Sequence, residues 1–331
     1  MFYFFGSFLR YERARRWAVQ TYDPSWTEAA VIRGLTRLPQ LQDLQLTLNR
    51  DALLESSVGN IQLDHLSKLK KISLSGCHVK SHRDIINCLA GLIAISPQLV
   101  HLEVNLGYHV LSSGTPTLHD MLSKVPEDHP LQLTHLALNR TGICIDSFTL
   151  PHLRSLISLD LGKLPSLSNL IDDAHLSSER TERACSTSDI CAILKQEGIY
   201  IEHIVVNDVG VFDYLCSYSS LETLDLCSIS FSTVEESNTS ARTFYESVLP
   251  HLAHSLQVLK IQPMHEGRWC FSPEDASQSI ALYQCNKLRS LTVSLKSTQF
   301  TNHHLRYKDN LDDAVCSSDL TLQLTMTELL L

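Results

Sequence analysis

Histidine is the residue type in this chain whose number and spacing most suggest chemistry. The sequence has 16 histidines, and neutral imidazole is a common ligand of transition metals. Three pairs have the close spacing that two ligands of one ion can show: His78 with His82, His251 with His254, and His303 with His304. Two ligands do not make a site without a third and a fourth. The sequence therefore predicts structural histidines, no metal ion and no cofactor.

The motifs of the common catalytic sites are missing from the sequence. It contains no G-x-S-x-G, no G-x-x-x-x-G-K-[ST], no G-x-G-x-x-G and no H-E-x-x-H, which mark nucleophile elbows, phosphate-binding loops and zinc proteases. The segment MHEGRWC, which begins at Met264, starts like the last of these but lacks the second histidine. We therefore predict no catalytic residue and a protein that is not an enzyme.

Composition indicates which classes of partner and which compartment are compatible with this chain. The formal net charge is −9, and without a basic stripe to hold phosphates the chain is a poor candidate for binding nucleic acid. No apolar run approaches the roughly 20 residues of a membrane-spanning helix. The ten cysteines include no C-x-x-C pair, which favours a reducing compartment. We expect a cytoplasmic protein, or a nuclear one if the arginines of RYERARRW form a nuclear localisation signal. The expected partner is a protein with a basic or neutral surface.

One short unit recurs along the chain. The pattern L-x-x-L-x-L, with Leu or Ile at the first position and Leu, Ile or Val at the other two, starts at nine positions: Leu41, Leu69, Leu99, Leu133, Leu156, Ile201, Leu221, Leu256 and Leu288. The spacings between the starts scatter around those of leucine-rich repeats and are somewhat longer. Polar residues fill most positions between the leucines, as a strand with one buried face requires. The longest spacing contains a polar stretch near residues 165–190, which we interpret as a surface insertion that offers an alternative contact surface.

Helix signals lie between these units. Four helix starts are predicted, at Ser81, Thr115, Ser186 and Ser272, and Gly198 is the predicted stop of the third helix. Units this small cannot cover their own apolar faces, so they must stack on one another. We predict an α/β leucine-rich-repeat solenoid, or horseshoe, with a parallel concave sheet, convex helices and irregular repeats. A compact doubly wound α/β domain is the alternative, but no glycine-rich phosphate turn follows the first strand.

The units LPQLQDLQLTLN, LSKLKKISLSGC and YSSLETLDLCSIS resemble the repeats of F-box proteins, particularly the fungal F-box/leucine-rich-repeat proteins. RYERARRWAVQTYDPSW, residues 10–26, resembles the segment that links the F-box to the repeats in that family. The resemblance implies the substrate-recognition arm of an F-box ubiquitin ligase. Two features depart from the family: the ninth position of the units is asparagine only at Asn49, and no L-P-x-E is followed by an apolar helical pattern. We therefore expect no F-box and no binding to the Skp adaptor.

The alternation of side chains along a strand predicts a binding surface. If the fourth and sixth positions of each unit enter the core, the third and fifth lie on the concave face. The candidate protein-binding residues are the ones in the middle of the array: His101, Glu103, His135, Ser158, Asp160, His203, Thr223 and Asp225. We expect His101 and His135 to be neighbours and the carboxylates to be exposed. Binding to a basic partner should then weaken as histidines protonate near pH 6.5.

The predicted organisation is an N-terminal helical cap or linker at 1–34, the solenoid at 35–300 and a C-terminal cap or tail at 301–331. The predicted function is a protein interaction scaffold of the F-box type. A free leucine-rich-repeat scaffold unconnected with ubiquitin is the alternative. A GTPase activator is less favoured, because it needs a positioned arginine or asparagine and the concave face is acidic and poor in arginine. Central leucines should matter more to stability than a leucine near the end, such as Leu291.

Overall fold

A computed structural model describes residues 16–20, 38, 40–47, 66–77, 82–106, 116–139, 141–162, 185–272, 275–295 and 321–325. The chain forms two compact units. Unit 1 comprises Met1–Leu156 and Leu164–Cys185, and unit 2 comprises Ile157–Lys163 and Ser186–Leu331. The domain boundaries at residues 34 and 300 stay predictions.

Unit 1 is built on parallel strands that follow one another in chain order. Its strands are β1 (Arg16–Gln20), β2 (Asp43–Thr47), β3 (Lys71–Cys77), β4 (His101–Leu106) and β5 (His135–Asn139). Each pairs in parallel with the next. Helix α1 (His82–Ala94) connects β3 to β4, and the short helix α2 (Leu118–Leu122) lies between β4 and β5. A 3₁₀ turn at Leu150–Leu153 follows β5.

Unit 2 repeats the same order with longer helical segments. Its strands are β6 (Ser158–Leu161), β7 (His203–Val206), β8 (Thr223–Ile229), β9 (Val258–Pro263), β10 (Ser290–Ser294) and β11 (Thr321–Thr325). β6 to β10 are parallel, and β11 pairs antiparallel with β10. The helices are α3 (Thr187–Gln196), α4 (Phe212–Leu215), α5 (Val234–Thr243), α6 (Leu249–Leu252) and α7 (Ala276–Gln284), with a 3₁₀ turn at Val209–Val211.

The nine L-x-x-L-x-L units each form one strand, β2 to β10, and each strand begins at the third position of its unit. The fourth and sixth positions are at most 4% exposed, apart from the half-buried Leu46. Burying one such side chain contributes about 1.5–3 kcal/mol, so this periodicity fixes which face enters the core. Strand order follows chain order without the reversal of a doubly wound sheet. The predicted fold class, an α/β leucine-rich-repeat solenoid, is confirmed.

Within unit 1 and within unit 2, main-chain carbonyls join one repeat to the next in place of an asparagine ladder. The carbonyl oxygen at the second position of such a repeat accepts two hydrogen bonds, from the N–H groups of the second and third residues of the following repeat. Gln42, for example, accepts from Lys70 at 2.7 Å and from Lys71 at 2.9 Å. The same arrangement recurs at further second positions: Lys70 and Val100 in unit 1, and Ile157, Glu202, Glu222 and Gln257 in unit 2. The sheet therefore keeps these contacts although the ninth position of the repeats is asparagine only at Asn49.

Two of the predicted helix starts agree with the structure. α1 begins at His82, directly after the predicted cap Ser81, which lies outside the described residues. α3 begins after Ser186, whose hydroxyl accepts from the Asp189 N–H while the Asp189 carboxylate accepts from the Ser186 N–H. This reciprocal pair satisfies two of the N–H groups that a helix leaves unpaired at its start. Residues 187–190 of the predicted insertion thus belong to a helix, whereas 163–184 lie outside the described residues.

The other two helix starts were predicted too early. α2 is capped by Thr117 rather than Thr115, because Thr117 forms the capping box with Asp120. α7 is capped by Asp275 rather than Ser272, because the Asp275 carboxylate accepts from the Ser277 N–H. Hydrogen bonds from the Ser277 hydroxyl and from this N–H lower the pKa of Asp275. In both cases the sequence offers two cap residues in succession, and the one nearer the helix is used.

One helical run of unit 2 contains a π-helical turn with an identifiable cause. α5, the π turn Phe244–Val248 and α6 follow one another without a break. Pro250 lies in the first turn of α6, where its ring removes an N–H donor and crowds the carbonyl one turn earlier. The Leu249 N–H donates instead to the Phe244 carbonyl, five residues back. The π turn is therefore a local response to proline.

The N-terminal segment differs from its predicted helical character. Residues 16–20 form β1, in register with β2 from the Arg16–Asp43 pair onward. Trp17 and Val19 are strand-favouring residue types with a spacing of two, although they do not complete the leucine pattern. Arg16 therefore belongs to a strand rather than a solvated helix face, and the other arginines of RYERARRW lie outside the described residues.

No helix in the described part of the chain is both long enough and apolar enough to cross a membrane. None of the cysteines that the structure describes in full forms a disulfide. Burial raises the pKa of Cys191 to about 12 and that of Cys285 to about 11. These two thiols stay protonated and pack as small apolar groups.

Replacing Gly198 with alanine should destabilise unit 2 by about 1–2 kcal/mol, the strain of a left-handed backbone at a residue with a side chain. Gly198 has a φ of +67° at the end of α3, with open space where a Cβ would lie. The loss would therefore come from the backbone and not from a clash. Gly267→Ala is the control, since its Cβ would be 3.8 Å from the nearest atom, Asn238 Oδ1. Equal free energies of unfolding for the two variants in urea would contradict this.

Candidate binding surface

One face of the sheet in each unit carries the third, fifth and seventh positions of the repeats, and we name it the open face. The eight predicted binding residues all lie on it and are all half-buried: His101, Glu103 and His135 in unit 1, and Ser158, Asp160, His203, Thr223 and Asp225 in unit 2. The alternation of buried and half-buried residues along β4 to β9 is what places them there. Their role in binding stays a prediction.

The open face of unit 1 brings together two histidines. His101 on β4 and His135 on β5 are partners in the parallel register, and their rings stack with centroids 5.2 Å apart. His101 Nε2 lies 4.0 Å from Glu103 Oε2, and His135 Nδ1 lies 2.8 Å from Thr134 Oγ1. The predicted contact between the two histidines is therefore present.

His101 is neutral at physiological pH. Burial, together with the positive charge of Lys71 and the neighbouring His135, lowers its pKa to about 4. A histidine with this pKa gains no charge as the pH falls through 6.5. The expectation that protonation of the histidines would weaken binding near that pH therefore does not hold for His101, because the sequence does not reveal the burial of its ring.

A pair of asparagines extends the open face of unit 1 toward the ends of the strands. Asn105 and Asn139 are register partners on β4 and β5, and both are half-buried. Within the described residues neither side-chain amide makes a hydrogen bond. Each amide can donate two hydrogen bonds and accept two, so this face retains unused capacity for polar contacts.

The open face of unit 2 is more fully paired within itself. His203 Nδ1 lies 3.0 Å from Thr223 Oγ1, and Asp160 Oδ1 accepts from the Gly162 N–H at 2.9 Å. Asp225 Oδ2 lies 3.3 Å from Lys260 Nζ. The expectation of exposed carboxylates needs correction for Asp225, whose side chain is 15% exposed, whereas the Glu103 side chain in unit 1 is 37% exposed.

Two features of the surface escaped the sequence analysis. Lys71 and Lys260 share the columns of the predicted residues and could have been found by reading each column for both signs of charge. Gly162 was not identifiable, because its role depends on three-dimensional crowding. A Cβ there would lie 2.7 Å from Cys227 Sγ and 3.0 Å from Val205 Cγ1. Only glycine lets Cys227 approach the Gly162 carbonyl, at 3.4 Å.

Three histidines away from the open faces have structural partners. His152 is 1% exposed, and its Nδ1 accepts from the Leu131 N–H at 2.9 Å. His251 Nε2 lies 3.0 Å from the Tyr218 carbonyl, and His119 Nδ1 lies 2.7 Å from Asp146 Oδ2. Across the residues that the structure describes, no three histidine, cysteine or acidic side chains form a group that could hold a metal ion. The paired residues His78, His303 and His304 lie outside them.

Comparison with known proteins gives one structural likeness to report. No family model matches the chain, and no curated protein matches it. The chain is similar to the crystal structure of the leucine-rich repeat-containing protein LegL7 from Legionella pneumophila, with 14% identity over 82% of this chain and 89% of that one, and a TM-score of 0.36. The assignment to leucine-rich repeats is carried by the nine units themselves, each with its strand at the same position.

Proposed function

We propose that this chain is a non-enzymatic protein-binding scaffold whose open faces contact the partner. The observation that carries the proposal is a set of in-register polar side chains on one sheet face: Asn105 beside Asn139, whose amides make no hydrogen bond within the described residues, and the stacked rings of His101 and His135. Side chains fixed by a sheet lose little conformational freedom on binding, which favours affinity. Extended sheet faces of repeat proteins are suited to partner recognition for the same reason.

The charge of the open faces favours a partner that is weakly basic or neutral. From β2 to β5 the third and fifth positions carry Asp43, Lys71 and Glu103, and from β6 to β10 they carry Asp160, Asp225 and Lys260. Each set has two carboxylates and one ammonium group, so neither face is strongly acidic. Uncharged hydrogen bonds should therefore supply much of the specificity, with a moderate dependence on salt. We propose no nucleic-acid partner, because over the described strands neither face carries a basic stripe that would hold phosphates.

The finer proposal is that the scaffold is the substrate-recognition arm of an F-box type ubiquitin ligase, in the cytoplasm or nucleus. Its support is the likeness of LPQLQDLQLTLN and its sister units to the repeats of those proteins. The alternative is a free scaffold without a link to ubiquitin. Purified Skp adaptor gives a test: this 331-residue chain should not bind it, because no F-box pattern is seen, and only stoichiometric binding would separate the alternatives, in favour of the ligase arm.

Arginine substitutions on the two open faces test the binding surface. Partners are identified by affinity purification and mass spectrometry, and a purified partner is then titrated against Glu103→Arg in unit 1 and Gln262→Arg in unit 2. Both sites are on open faces, and Gln262 is exposed. At least one variant should bind about tenfold more weakly, since a bulky charge there would cost about 1.4 kcal/mol or more.

The matched controls are Glu127→Arg and Glu197→Arg, which alter exposed residues outside the strands of each unit. They should bind like the unmodified protein. Circular dichroism should show that all four variants are folded. If both open-face variants also retain full affinity, the open faces are not the binding surface.

A further inference from the structure

One carboxylate oxygen on the open face of unit 2 has no hydrogen-bond donor. Asp225 lies at the fifth position of β8, flanked in register by Val205 on β7 and Lys260 on β9. Its Oδ2 faces Lys260 Nζ at 3.3 Å, whereas its Oδ1 is buried and has no partner within the described part of the chain. Native proteins keep few such atoms, and each one calls for an explanation.

The neighbouring side chains do not supply the missing donor. Val205 has only an apolar side chain, and the Thr223 hydroxyl is engaged with His203 Nδ1. The Cys227 thiol donates to the Gly162 carbonyl. In the isolated chain the carboxylate therefore depends on Lys260 alone.

Lys260 is a loose partner for this carboxylate. Its side chain is 44% exposed, and the 3.3 Å separation exceeds the roughly 2.7–2.9 Å of a strong charged hydrogen bond. The ammonium group is a point charge that serves one oxygen here, whereas a guanidinium presents two parallel N–H groups that match both oxygens of a carboxylate. A long flexible lysine can move into water when a better cation arrives.

We propose that Asp225 is the anchor for an arginine side chain of the partner, and that Lys260 is the internal cation which this arginine displaces. The proposal rests on the proposed binding function and deepens it, because it names the site and the chemistry of one contact. The guanidinium would donate to Oδ2 and, once the carboxylate turns toward the open face, also to Oδ1, the oxygen that has no donor within the described part of the chain. Lys260 would keep the carboxylate neutralised while no partner is bound.

A phage-displayed library of random peptides, selected on the full-length protein, tests the proposal. Selected peptides whose binding is weakened by Gln262→Arg, and which therefore bind the open face of unit 2, should be enriched in arginine. In synthetic copies of these peptides, replacing the arginine with lysine should weaken binding about tenfold, as should Asp225→Asn in the protein, because each removes a two-point charged contact. Lys260→Met keeps the apolar stem and removes the competing cation, so it should strengthen binding several-fold.

Lys195→Met is the matched control. It breaks the Lys195–Asp213 ion pair of 2.8 Å in the same unit but away from the open face, and it should leave peptide affinity unchanged. Circular dichroism checks the fold of every variant, and the substitution in the peptide itself needs no folded variant at all.

The outcomes separate this inference from the proposed function. Peptides that bind the open faces but tolerate lysine in place of arginine, and tolerate Asp225→Asn, would overturn the arginine anchor and leave the scaffold function standing. Enrichment of acidic peptides whose affinity is lost in Lys260→Met would overturn it as well, because Lys260 would then be the anchor. Peptides whose binding survives Glu103→Arg, Gln262→Arg and Asp225→Asn alike would overturn both proposals.

Discussion

Replacing Trp269 with alanine should lower the free energy of unfolding of unit 2 by about 3–5 kcal/mol, the range for removing a large aromatic side chain from a core. Trp269 is 1% exposed. Its ring packs against four others, with centroid distances of 5.4 Å to Phe244, 6.0 Å to Phe231, 6.3 Å to Phe212 and 6.4 Å to Tyr245. It thereby attaches the segment after β9 to α4 and to the π turn. Urea denaturation followed by circular dichroism measures the loss.

Trp269→Phe should be much milder than Trp269→Ala. The Trp269 Nε1 is buried without an acceptor among the described residues, and removing an unpaired buried N–H recovers part of its desolvation cost. Phenylalanine also keeps most of the ring contacts. Tyr283→Ala is the surface control, because that side chain is 89% exposed. If the alanine and phenylalanine variants at position 269 lost equal stability, the aromatic packing would not be the source of the effect.

Leu136→Ala and Leu291→Ala should each cost about 2–5 kcal/mol, the usual loss for a buried leucine truncated to alanine. Both residues are 2% exposed. Leu136 lies on β5 of unit 1, and Leu291 lies on β10, which pairs with both β9 and β11. The sequence-based expectation that Leu291 would be the less sensitive of the two is revised, because a further strand covers the position that was taken to be terminal.

The control for this pair is Ile280→Ala on α7, where the side chain is 59% exposed. It removes a similar number of methyl and methylene groups and should change stability by less than about 0.5 kcal/mol. Chemical denaturation of the three variants gives the comparison. A loss at Leu291 as small as that at Ile280 would mean that β11 does not cover β10 in solution.

The strands were predictable because burial depends directly on residue type. In each of the nine units the apolar positions have the period of two that a strand imposes, and one register satisfies them all. β1 and β11 were missed for the same reason, since RWAVQ and TLQLT do not complete the leucine pattern. Helix caps were predicted to within a few residues. Where Thr115 competes with Thr117, or Ser272 with Asp275, the choice depends on side-chain hydrogen bonds that a sequence does not display.

The sequence was sufficient to predict which residues lie on the open faces, but not their protonation states or their ion pairs. Strand alternation placed all eight residues on the open faces. The neutral state of His101 depends on how deeply its ring is buried and on its distance from Lys71. The partial burial of Asp225 and its pairing with Lys260 depend on side-chain conformations across two strands. Such properties arise from packing between units that are distant in the sequence.

The carbonyl that accepts two N–H groups in each repeat has a consequence for how this sequence can evolve. Because the contact uses main-chain atoms, the second position tolerates side chains as different as Gln42, Lys70, Val100 and Ile157. Only proline is excluded from the second and third positions of a following repeat, since both residues must donate an N–H. Substitutions other than proline can therefore accumulate at these two positions while the main-chain contacts between neighbouring repeats are preserved.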